Sequence, residues 1–294
     1  MFNHFSDRVS GALYIILSAF LYATLPILAK FSYQAGLAPE NVLLLRYFFA
    51  FSMVFLYLKL YKKEPVLTRS PLAILQGILL IISGMAYFFS LCFLSASITT
   101  VIFFSHPVLV SLFSMLFFKE KYDYRLITGL ALALTGIFLV SNITGSDLKV
   151  SLSGFLLAFA SSIMYAFYSL LSQKNVTQVP ALSLSATFFL IATVSILAIF
   201  HNVSFVASLT PKQVLIGFII ALFNTILAVS CFLKGVKKIG ASRSSLISTL
   251  EPVITLLLAF LLLKEVLSPL QILGSSLVLV SMFLSITSLK VKQS

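Results

Sequence analysis

Residues 97–137 read SITTVIFFSHPVLVSLFSMLFFKEKYDYRLITGLALALTGI, and residues 242–282 read SRSSLISTLEPVITLLLAFLLLKEVLSPLQILGSSLVLVSM. These two stretches are copies of one another. His106-Pro107 answers Glu251-Pro252, Lys119-Glu120 answers Lys264-Glu265, and Gly129 answers Gly274, all at one offset of 145 positions. The outer helix of each copy also matches, at an offset of 143: Gly11 with Gly154, Ser18 with Ser161, and Tyr22-Ala23 with Tyr165-Ala166. The second half therefore repeats the first. The repeats occupy 10–142 and 151–289, joined by the short polar stretch Thr144–Val150.

Composition decides the solvent. Apolar residues make up 60% of the 294 and charged residues 10%, against about 25% charged in an ordinary soluble domain. Apolar runs long enough to cross a bilayer recur throughout, since about 20 residues suffice. They predict ten helices, near Gly11–Ala29, Asn41–Leu58, Pro71–Leu94, Ser97–Phe118, Tyr124–Asn142, Ser151–Ser172, Ala181–Phe200, Gln213–Leu233, Ser244–Leu263 and Pro269–Ser288. The first is read as a retained span, because no small-residue cleavage site follows it. Five spans per repeat is an odd number, so the two copies enter the membrane from opposite sides. The expected fold is an all-α membrane protein of ten transmembrane helices in two inverted five-helix repeats. Sites in such proteins lie where the repeats meet.

The net charge of +12 follows from orientation and does not point to nucleic acid. With the N-terminus in the cytoplasm, 15 Lys/Arg fall in cytoplasmic segments and 4 in external ones, leaving Arg46 inside the second helix. That bias is the positive-inside pattern. It predicts a multi-pass protein of the cell (inner) membrane with both termini cytoplasmic. Cys92 and Cys231 fall in apolar spans and read as buried, unpaired thiols.

Pro107 and Pro252 stand inside spans at equivalent positions. Each removes a backbone hydrogen bond and kinks its helix, either around a central cavity or merely for packing. Glu251 lies roughly 10–12 Å along its helix at 1.5 Å per residue, near the midplane. An ionisable side chain there costs about 2.5–3.5 kcal/mol or more and marks an interior or aqueous path. It is a candidate for binding a proton or a substrate amine; the structural alternative is a neutral acid that steadies the Pro252 kink. His106 lies at similar depth from the other side, with an imidazole able to titrate near neutral pH or simply to bond a neighbouring hydroxyl. Arg46 can attract a carboxylate, pair with Glu40, or snorkel to the interface. Tyr22, Tyr165, Tyr87 and Asn224 bring polar tips into apolar helices, as do Tyr168 and Gln76. Asn224 must find a partner away from lipid.

The residues quoted above carry a resemblance. Ser95-Ala96-Ser97, His106-Pro107, Lys119-Glu120 and Gly129, with Gly240-Ala241-Ser242, Glu251-Pro252, Lys264-Glu265 and Gly274, resemble the drug/metabolite transporter superfamily, in its two-EamA-domain group. Arg46 matches that pattern in the first half and has no counterpart in the second. The resemblance implies an exporter of amino acids, other metabolites or drugs, with a cavity between the halves. It also implies a small-molecule solute and the bilayer as partners; the oligomeric state stays open.

No phosphate-binding glycine loop, metal-ligand spacing or catalytic constellation is present, so neither an enzyme nor a cofactor is expected. Uphill transport would then draw on an ion gradient, with a proton favoured by the midplane titratable groups and facilitated diffusion left open. The reading from sequence is a secondary active transporter working by alternating access; the alternative is a passive channel or facilitator for small polar solutes.

Overall fold

The computed structural model describes residues 2–63, 65–90, 93–94, 96–118, 124–140, 151–201, 204–263 and 268–287. All regular structure among them is helical. The first half holds α1 (Phe2–Ala23), α2 (Leu25–Gln34), α3 (Pro39–Tyr57), α4 (Pro71–Ser90), α5 (Ala96–Phe103), α6 (His106–Phe118) and α7 (Tyr124–Val140). The second holds α8 (Leu152–Asn175), α9 (Ala181–Phe200), α10 (Pro211–Ile219), α11 (Ala228–Ile239), α12 (Ala241–Ile247), α13 (Leu250–Leu263) and α14 (Pro269–Thr287). Among the described residues, five helical stretches are long and apolar enough to cross a membrane: Glu40–Lys62, Val101–Phe118, Leu152–Asn175, Ala181–Phe200 and Pro211–Ile239. Shorter apolar helices lie at Val9–Ala23, Pro71–Tyr87, Tyr124–Val140 and Pro269–Leu284.

Several stretches expected as single helices are divided. The first span stops at Ala23 and restarts at Leu25, because Pro26 near the start of α2 cannot donate back to the preceding turn. The fourth breaks between Phe103 and His106, and the ninth between Ile247 and Leu250, each just ahead of a proline. The eighth runs on to Ile239, six residues past its expected end, through a wide π-type segment at Ile220–Leu227. Gly240, at a φ of 82°, then turns the chain directly into α12. Only glycine takes that conformation without steric cost.

Packing pairs each of four helices with one from the other half. The α1 helix lies against α11, α4 against α8, α3 against α9, and α7 against α14. Exchanging the halves maps these pairs onto one another, so the sequence repeat is also a contact repeat. Ser18 Oγ of α1 donates to Ala228 O at 2.8 Å. Its repeat partner Ser161 of α8 donates to Ser83 O at 2.8 Å and receives the Ser83 hydroxyl on its own carbonyl at 2.9 Å. Gly11 packs on Lys238 and Ile239, and Gly154 on Phe93 and Leu94. Small residues let apolar helices approach closely where lipid supplies no hydrophobic drive between them. Ser161→Ala removes the bond to Ser83 O and keeps the Ser83 hydroxyl on the residue-161 carbonyl, so it loses one donated bond, as Ser18→Ala does. Each is expected to cost about 0.5–1.5 kcal/mol in detergent unfolding.

Candidate functional site

The helix breaks bring polar groups from both halves to the middle of the bundle. His106 opens α6 and is 1% exposed. Its Nδ1 lies 3.0 Å from Phe103 O. A carbonyl only accepts, so Nδ1 carries a hydrogen. Nε2 is buried and has no partner among the described residues. The imidazole meets the Tyr165 ring edge-on at 4.7 Å between centroids and the Phe103 ring at 5.0 Å. Phe103 in turn touches Tyr87 at 5.2 Å, which links Tyr87 to the group.

Tyr165 of α8 joins His106 to the rest. It packs on Tyr168 at 5.4 Å and Phe232 at 6.4 Å, and lies within electrostatic range of Tyr22 and Glu251. Tyr22 of α1 lies within range of Arg46, Tyr47, Glu251 and Cys231. Glu251 of α13 and Arg46 also feel one another, yet they form no ion pair. Among the described residues the Glu251 carboxylate makes no hydrogen bond or salt bridge at all. The helices that contribute (α1, α3, α6, α8, α13) come from both halves.

Arg46 does not snorkel. It is 8% exposed, about two turns into α3, and it faces the π-type segment. Its Nε donates to Thr225 Oγ1 at 2.7 Å and its Nη2 to Asn224 O at 3.3 Å, while the guanidinium lies 5.1 Å from the Tyr47 ring centre. Neither bond goes to Glu40. Asn224, fully buried, donates to Leu21 O and, at 2.7 Å, to Thr24 Oγ1.

Gln76 lies apart from this group. It accepts from Asn175 Nδ2 at 2.8 Å and donates to Ser172 Oγ and Tyr168 O. Pro107 is the second residue of α6 and Pro252 the third of α13, each directly after its helix break. Cys231 is buried and free. Cys92, Lys119-Glu120 and Lys264-Glu265 lie outside the described residues.

Sequence reading passed over Thr24, Tyr47, Thr225 and Thr255. Thr255 was within reach: four residues after Glu251, it shares that face of the helix. Thr24, two residues before Pro26, stands where a break needs a local hydroxyl. Nothing in the sequence marks Thr225 as the partner of Arg46.

A family profile described as the EamA-like transporter family matches residues 9–142 and 152–287. The uncharacterized transporter YcbK of Bacillus subtilis is 25% identical over 284 residues, covering 91% of this chain and 90% of that protein. An uncharacterized transporter of Clostridium kluyveri is 23% identical over 292 residues, covering 95% and 94%. The uncharacterized inner membrane transporter YicL of Salmonella typhimurium is 25% identical over 191 residues, covering 65% and 64%. A solved crystal structure superposes with a TM-score of 0.81 at 19% identity, over 94% of this chain and 96% of its own; that likeness concerns the fold alone. Two matched repeats, apolar helices paired across the halves, and relatives named as transporters along nearly their whole length lead to one conclusion: the chain belongs to the EamA-like transporter family and is a multi-pass membrane transporter.

Proposed function

We propose that this protein is a secondary active exporter of small metabolites, of the amino acid or drug class, working by alternating access with proton coupling. The observation that carries the reading is Glu251. An acid near the centre of the bundle, with no hydrogen-bond or ion-pair partner among the described residues, is costly unless something else meets it. A proton and a substrate amine are the two species that do. Tyr22, Arg46 and Tyr165 lie within electrostatic range of it, from both halves, and His106 meets Tyr165, as expected where a rocking of one repeat against the other exposes one site to each side in turn. Tyr87 and Asn224 complete the candidate set.

With this reading go ten spans, one repeat over 10–142 and the other over 151–289, inserted in opposite senses with both termini in the cytoplasm. Its support is the charge bias of 15 to 4. The test is reconstitution into proteoliposomes, with counterflow of amino acids and cationic drugs measured at two values of pH. Saturable counterflow with pH-dependent rate is expected; a large conductance without counterflow identifies a channel instead. Terminal tags should be protected in right-side-out vesicles, and labelling from outside would reverse the orientation.

A further inference from the structure

The break between α1 and α2 takes backbone carbonyls out of the regular helical ladder, and in a membrane such groups must be satisfied. Two carbonyls flank Tyr22, and Leu21 O keeps one local backbone donor, Thr24 N at 3.3 Å. Leu21 O receives Asn224 Nδ2, and Ala23 O shares the single Thr255 hydroxyl hydrogen, at 3.2 Å, with Glu251 O at 3.0 Å. Thr24 Oγ1 bridges locally, donating to Leu21 O at 2.8 Å while accepting from Asn224 at 2.7 Å. The carbonyls before and after Tyr22 are thus held by side chains from the other half of the chain.

The neighbour of Asn224 does the same for Arg46. In a π-type turn the hydrogen bonds skip a residue, so side chains and carbonyls engage groups outside the helix. Thr225 Oγ1 donates to Ile220 O at 3.1 Å and accepts from Arg46 Nε at 2.7 Å; Asn224 O accepts from Arg46 Nη2. One pair of adjacent residues therefore fastens α1 on one side and α3 on the other. With two donors engaged, the guanidinium keeps a fixed orientation.

We infer that Asn224, Thr225 and Thr255 are positioning residues: they act on transport through Tyr22 and Arg46 and touch no solute themselves. This rests on the site proposed above, and it gives Asn224 a different role from lining that site.

The chain contains no tryptophan, so Tyr22→Trp supplies a single fluorescent reporter in the full-length protein. Acrylamide quenching of that indole is expected to rise about twofold when Thr255→Val or Asn224→Leu is added, as local opening becomes easier. It should return to its starting value with Thr255→Ser. In proteins retaining Tyr22, Thr225→Val is expected to raise the counterflow KM about tenfold with the maximal rate within about twofold, the split that marks lost binding. Thr225→Ser should restore it. A role in stability alone would lower yield without this split or this rescue. Unchanged quenching in both clamp variants, or a Thr225→Val protein with wild-type KM, overturns the inference. Equal damage from the Val and Ser variants overturns it as well. Glu251→Gln separates the two claims: if it alone impairs counterflow, the positioning role falls and the site stands. If quenching responds while Glu251→Gln transports normally, the site falls and the clamp stands.

Discussion

Glu251→Gln is expected to lower the counterflow rate by about 10- to 100-fold, the range set by losing an interaction of about 1.5–3 kcal/mol with a charged group. Glutamine has the shape of the acid and cannot take up or release a proton. The carboxylate has no protein hydrogen bond among the described residues, so the exchange breaks none. The melting temperature in detergent should therefore stay within about 2 °C of wild type, since a change near zero in folding free energy shifts it little. A stable but slow protein assigns the acid to transport. Wild-type rate with unchanged pH dependence would remove Glu251 from the coupling step.

The second large effect concerns assembly of the two halves. A Cβ added at Gly136 would sit 2.6 Å from Gly274 O and 2.7 Å from Val278 Cγ2; one added at Gly274 would sit 2.6 Å from Gly136 O. These close contacts include backbone atoms of the facing helix, which cannot rotate aside. Gly136→Leu should force α7 and α14 apart and abolish the monodisperse, folded species. Gly274→Ala should cost about 1–3 kcal/mol, the usual range for overpacking. Gly84→Ala is the control, because nothing among the described residues lies within 4 Å of its added Cβ. Size-exclusion profiles and thermal melts of the three purified variants check this. A Gly136→Leu protein with wild-type yield and melting behaviour would contradict the close approach.

Much of this fold was legible beforehand because its signals are local or periodic. Apolar runs of bilayer length mark helices whatever surrounds them. The paired anchors from His106-Pro107 to Gly274 expose the repeat by spacing alone. The second-half partner of Arg46 was not legible. Snorkelling, pairing with Glu40 and meeting a carboxylate were all compatible with one arginine two turns inside a helix. The choice fell to Thr225, 179 positions away, and to the local widening of a helix whose sequence reads as ordinary. The break after Ala23 is similar. Pro26 announces a kink, but the identity of the groups that take up the freed carbonyls depends on which helices pack against it.

The class of protein and the two repeats thus follow from residue order, because hydrophobic length and spacing act along the chain. Two further facts came only with the packed helices. Tyr165 touches His106 while lying within range of Glu251, and Asn224 and Thr255 clamp the turn bearing Tyr22. The clamp joins residues of opposite halves. A hydrogen bond forms between groups brought within about 3 Å by packing, whatever number of residues separates them.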